Sequence, residues 1–177
     1  MTRRLPISSR HDYLLLPVNR VFIALTFLAA LMLNLLPWGR TPGIPDFVAL
    51  VIVFWNVHQP RRVGIGVGFV LGLILDVHTS ALLGERALLY SLLAYGAWFM
   101  HRRVPWFSIG GQVLHVLPLF ALAQAVVIAA RLATGAAMPG SEIFLQWLTT
   151  ALLWPVADLL LLAPQRRAAA RDEHRPL

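Results

Sequence analysis

Six apolar stretches, at approximately 18–38, 44–58, 63–80, 83–100, 107–130 and 143–163, follow one another with short breaks carrying Arg, Pro or Gly. No water-soluble core needs so continuous an apolar supply. Charged residues make up 13% of the chain and apolar ones 58%, where a soluble domain is about a quarter charged. The solvent that suits this order is a bilayer, in which helices and closed barrels satisfy their own backbone. The stretches lack the two-residue alternation of barrel strands. The sequence therefore predicts an all-α integral membrane protein, a six-transmembrane-helix bundle in a single membrane domain. A helix needs about 20 residues to cross about 30 Å of hydrocarbon. The second, third and fourth stretches fall short, so they either borrow flanking residues or sit shielded by neighbours in a thinned bilayer.

The chain has arginines but no lysine, and they gather at the ends of the apolar stretches. Arg3, Arg4, Arg10, Arg20, Arg61, Arg62, Arg102, Arg103, Arg166, Arg167, Arg171 and Arg175 fall on one side of the expected bundle, against Arg40, Arg86 and Arg131 on the other. The positive-inside bias puts the first side, and both termini, in the cytoplasm. An even number of crossings requires the same. So placed, the arginines face an anionic leaflet, and no nucleic-acid partner is implied. Residues 1–17 read as a cytoplasmic segment rather than a cleaved leader, because no small-x-small site follows the first stretch. About 18–163 is the bundle, and 164–177 a frayed basic cytoplasmic tail. The turn "HQPRRV" ends one helix at Pro60 before Arg61 and Arg62 anchor the next. The absence of cysteine excludes disulfides and thiolate chemistry.

In the third stretch Gly64, Gly68, Gly72 and Asp76 recur every four residues, which places them on one helical face. Small residues on such a row let helices approach closely. Packing within the bundle is the expected use, with a groove for a partner helix as the alternative. "GIGVG" lacks the spacing of a dinucleotide fingerprint. A carboxylate in mid-membrane costs about 2.5–3.5 kcal/mol on insertion scales, so Asp76 should turn inward and find a partner. Arg86 is expected to pair with it and lock the turn, with Thr79 and Ser80 supplementing the pair. Glu85 should sit at the positive N-terminal end of the fourth helix. Two uses of the pair stay open, fold stabilisation alone or a place in a partner interface.

Asp158 follows Pro155, whose ring should bend the sixth helix, and is expected to pair across the bundle or reach toward the arginine-rich side. Asn34, Asn56, Gln124, Gln146 and His115 are expected to make interhelical hydrogen bonds. Trp38 and Trp98, near stretch ends, read as interfacial anchors. The histidines are scattered without a carboxylate at ligand spacing, so no metal or cofactor is expected. Ser80, Ser91, Ser108 and Ser141 lack a nucleophile-elbow setting; no catalytic residue is assigned and no enzyme is expected.

One ordered set of motifs has a known counterpart. "PDF" at 45–47, Trp55 with Pro60, Arg61 and Arg62, then Gly66, Gly68 and Gly72, Leu75 with Asp76, and Leu83, Gly84, Ala87 and Leu88 follow in order, with "LLWP" at 152–155. This pattern resembles the rod shape-determining protein MreD family over about residues 20 to 165. The resemblance implies a non-catalytic scaffold in the bacterial inner membrane, part of the cell-elongation machinery. Its partners would be an MreC-like single-pass periplasmic protein and, indirectly, MreB and the peptidoglycan synthases. It also implies a bundle similar to the substrate-binding subunits of energy-coupling-factor transporters. Gly64, Gly68, Gly72, Asp76, Gly84, Glu85, Arg86 and Pro60 are the structural or partner-interface candidates. The alternative function is a vitamin-type transporter subunit with a pocket near Asp76 and Arg86; a membrane enzyme comes third.

Overall fold

The computed structural model describes residues 19–38, 41–79 and 82–172. Among them the chain forms seven α-helices, one 3₁₀ turn and no strand. The helices are α1 Arg20–Leu35, α2 Phe47–His58, α3 Ile65–Thr79, α4 Glu85–Met100, α5 Ile109–Ala133, α6 Glu142–Leu152 and α7 Trp154–Asp172. The 3₁₀ turn, Val104–Trp106, joins α4 to α5. The expected cytoplasmic segment 1–17, Ser80, and residues 173–177 of the expected tail lie outside the described residues.

The bundle is built around α2. Every residue from Val48 to Val57 is buried, as a helix that is apolar on all sides requires. Neighbours on α1, α4, α6 and α7 wrap it. At 12 residues it is about 18 Å long, and shielding by other helices explains how so short an apolar helix is accommodated. Phe54 and Trp55 of α2 meet edge to face at 5.1 Å, and Trp154 of α7 closes on Phe54 at 6.0 Å. The indole of Trp55 donates to Thr26 Oγ1 of α1 at 2.9 Å. Trp38 and Trp98 are exposed, whereas Trp55 and Trp154 are fully buried.

Helix α5 is long and apolar enough to cross a membrane unaided, and α6 with the first part of α7 would form one bent span. α1, α2 and α3 are shorter apolar helices. The sixth stretch is not one helix. It breaks at Leu153, and α6 meets Trp154–Ala163 at 41°. Pro155 has no N–H to donate and its ring crowds the carbonyl one turn earlier, so the chain restarts as α7 instead of curving through. Beyond 163, where a frayed tail was expected, α7 continues to Asp172.

The polar groups on the apolar helices settle in different ways. Asp158 reaches across the bundle to His58, with Oδ1 3.7 Å from Nε2. Asn34 bonds between helices, as described below. Asn56 and His115 depart from expectation, since each bonds the carbonyl one turn earlier in its own helix (Ile52 and Gly111, both at 2.8 Å).

Candidate functional site

The starts of α2, α4 and α6 and the ends of α1, α3 and α5 meet at one end of the bundle. Helix starts expose N–H groups that no residue of the helix itself can accept. In an apolar bundle they must find acceptors within the protein, on side chains or on the preceding turn. Two buried carboxylates meet those of α2 and α4.

Asp76, near the end of α3, serves the start of α4. Its Oδ2 accepts from Gly84 N at 2.9 Å and Ala87 N at 3.2 Å, and its Oδ1 accepts from Arg86 N at 2.9 Å. Glu85 N donates to Leu82 O, and Leu88 N to Gly84 O. The opening N–H groups of α4 are thus all satisfied, with the carboxylate at the positive end of the helix dipole. Gly84 itself has φ 100°, a left-handed conformation open to glycine, and it turns the chain so that these amides converge on Asp76.

The glycine row places the carboxylate there. A Cβ on Gly72 would lie 2.4 Å from Ala87 Cα, and one on Gly68 would lie 2.8 Å from Tyr90 O. Both would collide with backbone, so bare glycine is what lets α3 lie against α4. Gly64 meets nothing within 4 Å and takes no part in that contact. Gly64 and Pro60 sit at the opposite end of α3, away from Asp76. Of the sequence candidates, then, the structure gathers Gly68, Gly72, Asp76, Gly84, Glu85 and Arg86, and leaves Gly64 and Pro60 elsewhere.

The expected ion pair between Asp76 and Arg86 is replaced by a different contact. Asp76 binds the Arg86 amide, and the guanidinium turns to Asp46, with Nη1 3.7 Å from Oδ2. Asp46 is the residue that the sequence reading passed over as a site. It caps α2 by accepting from Ala49 N at 3.0 Å, while the same Oδ1 accepts from Asn34 Nδ2 at 2.8 Å. Its Oδ2 accepts from the Tyr90 hydroxyl at 2.7 Å, and its amide donates to Thr150 Oγ1 at 2.8 Å. Asn34 Oδ1 accepts from Phe47 N at 3.0 Å. The Asp46 carboxylate therefore ties together α1, α2 and α4, and its backbone amide adds α6. The available signal was an aspartate immediately before a purely apolar run, the position of a helix N-cap.

A third contact closes the group. Arg131 Nη1, at the end of α5, lies 3.0 Å from both oxygens of Glu85, and its Nε donates to Ala137 O at 3.1 Å. Between these pairs is a cavity of about 210 Å³, lined in part by Asp46, Glu85, Arg86, Gln124, Arg131 and Gln146. Arg86 also borders a wider depression of about 730 Å³ beside Trp38, Thr41, His78 and Glu142. Among the described residues no three His, Asp or Glu side chains gather as metal ligands would. The chemistry on offer is anchoring. Three carboxylates hold helix ends and arginines, and a polar, mixed-charge rim surrounds them.

The family described as rod shape-determining protein MreD matches residues 17–163. Rod shape-determining protein MreD of Haemophilus influenzae is 28% identical over 147 residues, which is 80% of this chain and 88% of that protein. No solved structure matches the chain. The matched region takes in Asp46 and Asp76, the glycine row and the broken sixth segment. This chain belongs to the rod shape-determining protein MreD family, and its role is in rod shape determination.

Proposed function

We propose that this chain is a non-catalytic scaffold of the bacterial cell-elongation machinery, set as one multi-pass domain in the inner membrane. On this reading it crosses six times, α6 and α7 forming one bent crossing, with both termini in the cytoplasm. It grips an MreC-like single-pass periplasmic protein and through it connects to MreB and the peptidoglycan synthases. One observation carries the proposal: Asp46, Asp76 and Glu85 are each engaged in holding helix ends or an arginine. That suits a rigid platform better than an acid–base site. The partner would meet the rim around Glu85 and Arg86 on the extracytoplasmic side. Gly68 and Gly72 are already covered by α4, so of the glycine row a partner helix would find Gly64.

The test is recovery of bound proteins from a chain tagged at its native level and purified in mild detergent. Retention of a single-pass periplasmic protein with wall synthases is expected, and Glu85→Arg should reduce it. Retention of ATPase subunits of a transporter instead would overturn the scaffold reading.

A further inference from the structure

The opposite end of the bundle carries a different cavity, about 370 Å³ in volume. Three arginines from separate parts of the chain border it, Arg20 at the start of α1 with Arg61 and Arg62 in the α2–α3 turn. Its remaining lining is apolar and comes from α1 (Ile23, Ala24, Phe27), from Val63 and from Val67 of α3. Among the described residues that line it, none is acidic. The cavity is thus amphipathic, with a cationic rim on a hydrocarbon trough between α1 and α3.

That combination selects its occupant. A soluble anion would use the rim and leave the trough wet. A partner helix, about 10 Å across, would use the trough and bring no charge to the rim. A phospholipid uses both. The planar guanidinium fork matches phosphate oxygens in pairs, and an acyl chain can lie along Ala24, Phe27 and Val67. Basic pockets between membrane helices on the cytoplasmic side are suited to such headgroups.

We propose that the Arg20–Arg61–Arg62 cavity binds an anionic phospholipid, which ties α1 to the α2–α3 turn. The proposal rests on placing the bundle in a membrane and is independent of which wall protein it grips.

The test is native mass spectrometry of the full-length chain in mild detergent, titrated separately with cardiolipin, phosphatidylglycerol and phosphatidylcholine. Retention of the anionic lipids about tenfold above phosphatidylcholine is expected. Replacing all three arginines (R20Q/R61Q/R62Q) should abolish that preference. R102Q/R103Q, which removes charge from the same side but outside the cavity, should preserve it. Ala24→Phe keeps every charge but fills the trough. Ala24 is exposed, so this variant should fold with an unchanged thermal midpoint and still lose the lipid. Equal retention of phosphatidylcholine would overturn the proposal, as would an equal loss in R102Q/R103Q. So would full retention in Ala24→Phe together with displacement by millimolar inorganic phosphate, which would make the ligand a soluble anion.

Discussion

Asp76 and Arg86 meet through the Arg86 amide, 2.9 Å from Asp76 Oδ1, while the Arg86 guanidinium lies 3.7 Å from Asp46. Asp76 and Asp46 therefore divide one arginine between them, backbone to one and side chain to the other. Asp76 acts as a cap supplied from a neighbouring helix, and Asp46 as a node joining four helices.

The division separates two double-mutant cycles. Coupling between Asp46→Asn and Arg86→Gln should reach about 1 kcal/mol, within the range for residues in contact. Coupling between Asp76→Asn and Arg86→Gln should be clearly smaller, because the arginine substitution leaves the Arg86 amide in place. Thermal unfolding of the three single and two double variants in detergent checks both. A larger Asp76 coupling would mean that the side chains pair after all.

Loss of the cap itself should be costly. Asp76→Ala strands the amides of Gly84, Arg86 and Ala87 in an apolar setting, and hydrogen bonds to a charged acceptor are each worth about 1.5–3 kcal/mol. A destabilisation of at least about 3 kcal/mol is expected, with faster hydrogen exchange at the start of α4 as a local readout.

The glycines of α3 should respond differently by position. Gly72→Ala drives a methyl into the Ala87 backbone, so overpacking of about 3 kcal/mol or more is expected. Gly66→Ala meets nothing within 4 Å and lies in the first turn of α3, where alanine is favoured over glycine by at most about 0.5–1 kcal/mol. Midpoints should therefore move in opposite directions. A similar loss at both sites would place a close neighbour over Gly66.

Tyr90→Phe removes the hydroxyl donated to Asp46 at 2.7 Å and leaves the ring in its buried place. About 1.5–3 kcal/mol should be lost. In an Asp46→Asn background the loss should shrink, because the charge that strengthened the bond is gone. An unchanged loss would show that the ring, and not the hydroxyl, carries the effect.

What could be read from the residues alone follows from repetition and spacing. Apolar runs of helical length dictate helices in lipid, Pro155 dictates a disturbance in the sixth, and a four-residue glycine spacing dictates a close helix contact ending at a carboxylate. Each of these depends on neighbours along one helix, which sequence order specifies. The ordered motifs from "PDF" to "LLGERALL" also sufficed to place the chain in its family.

What tertiary structure decided is which partner each polar group takes. Asp76 and Arg86 are close in sequence, yet the geometry of the α3–α4 turn presents the amide, and the guanidinium finds Asp46 forty residues earlier. The Asp46 node draws on Asn34, Tyr90 and Thr150, and the cationic cavity on Arg20, Arg61 and Arg62. Local spacing fixes a residue's face on its own helix. The direction and neighbours of that face depend on how helices distant in sequence pack around α2, where satisfying every buried polar group leaves few arrangements.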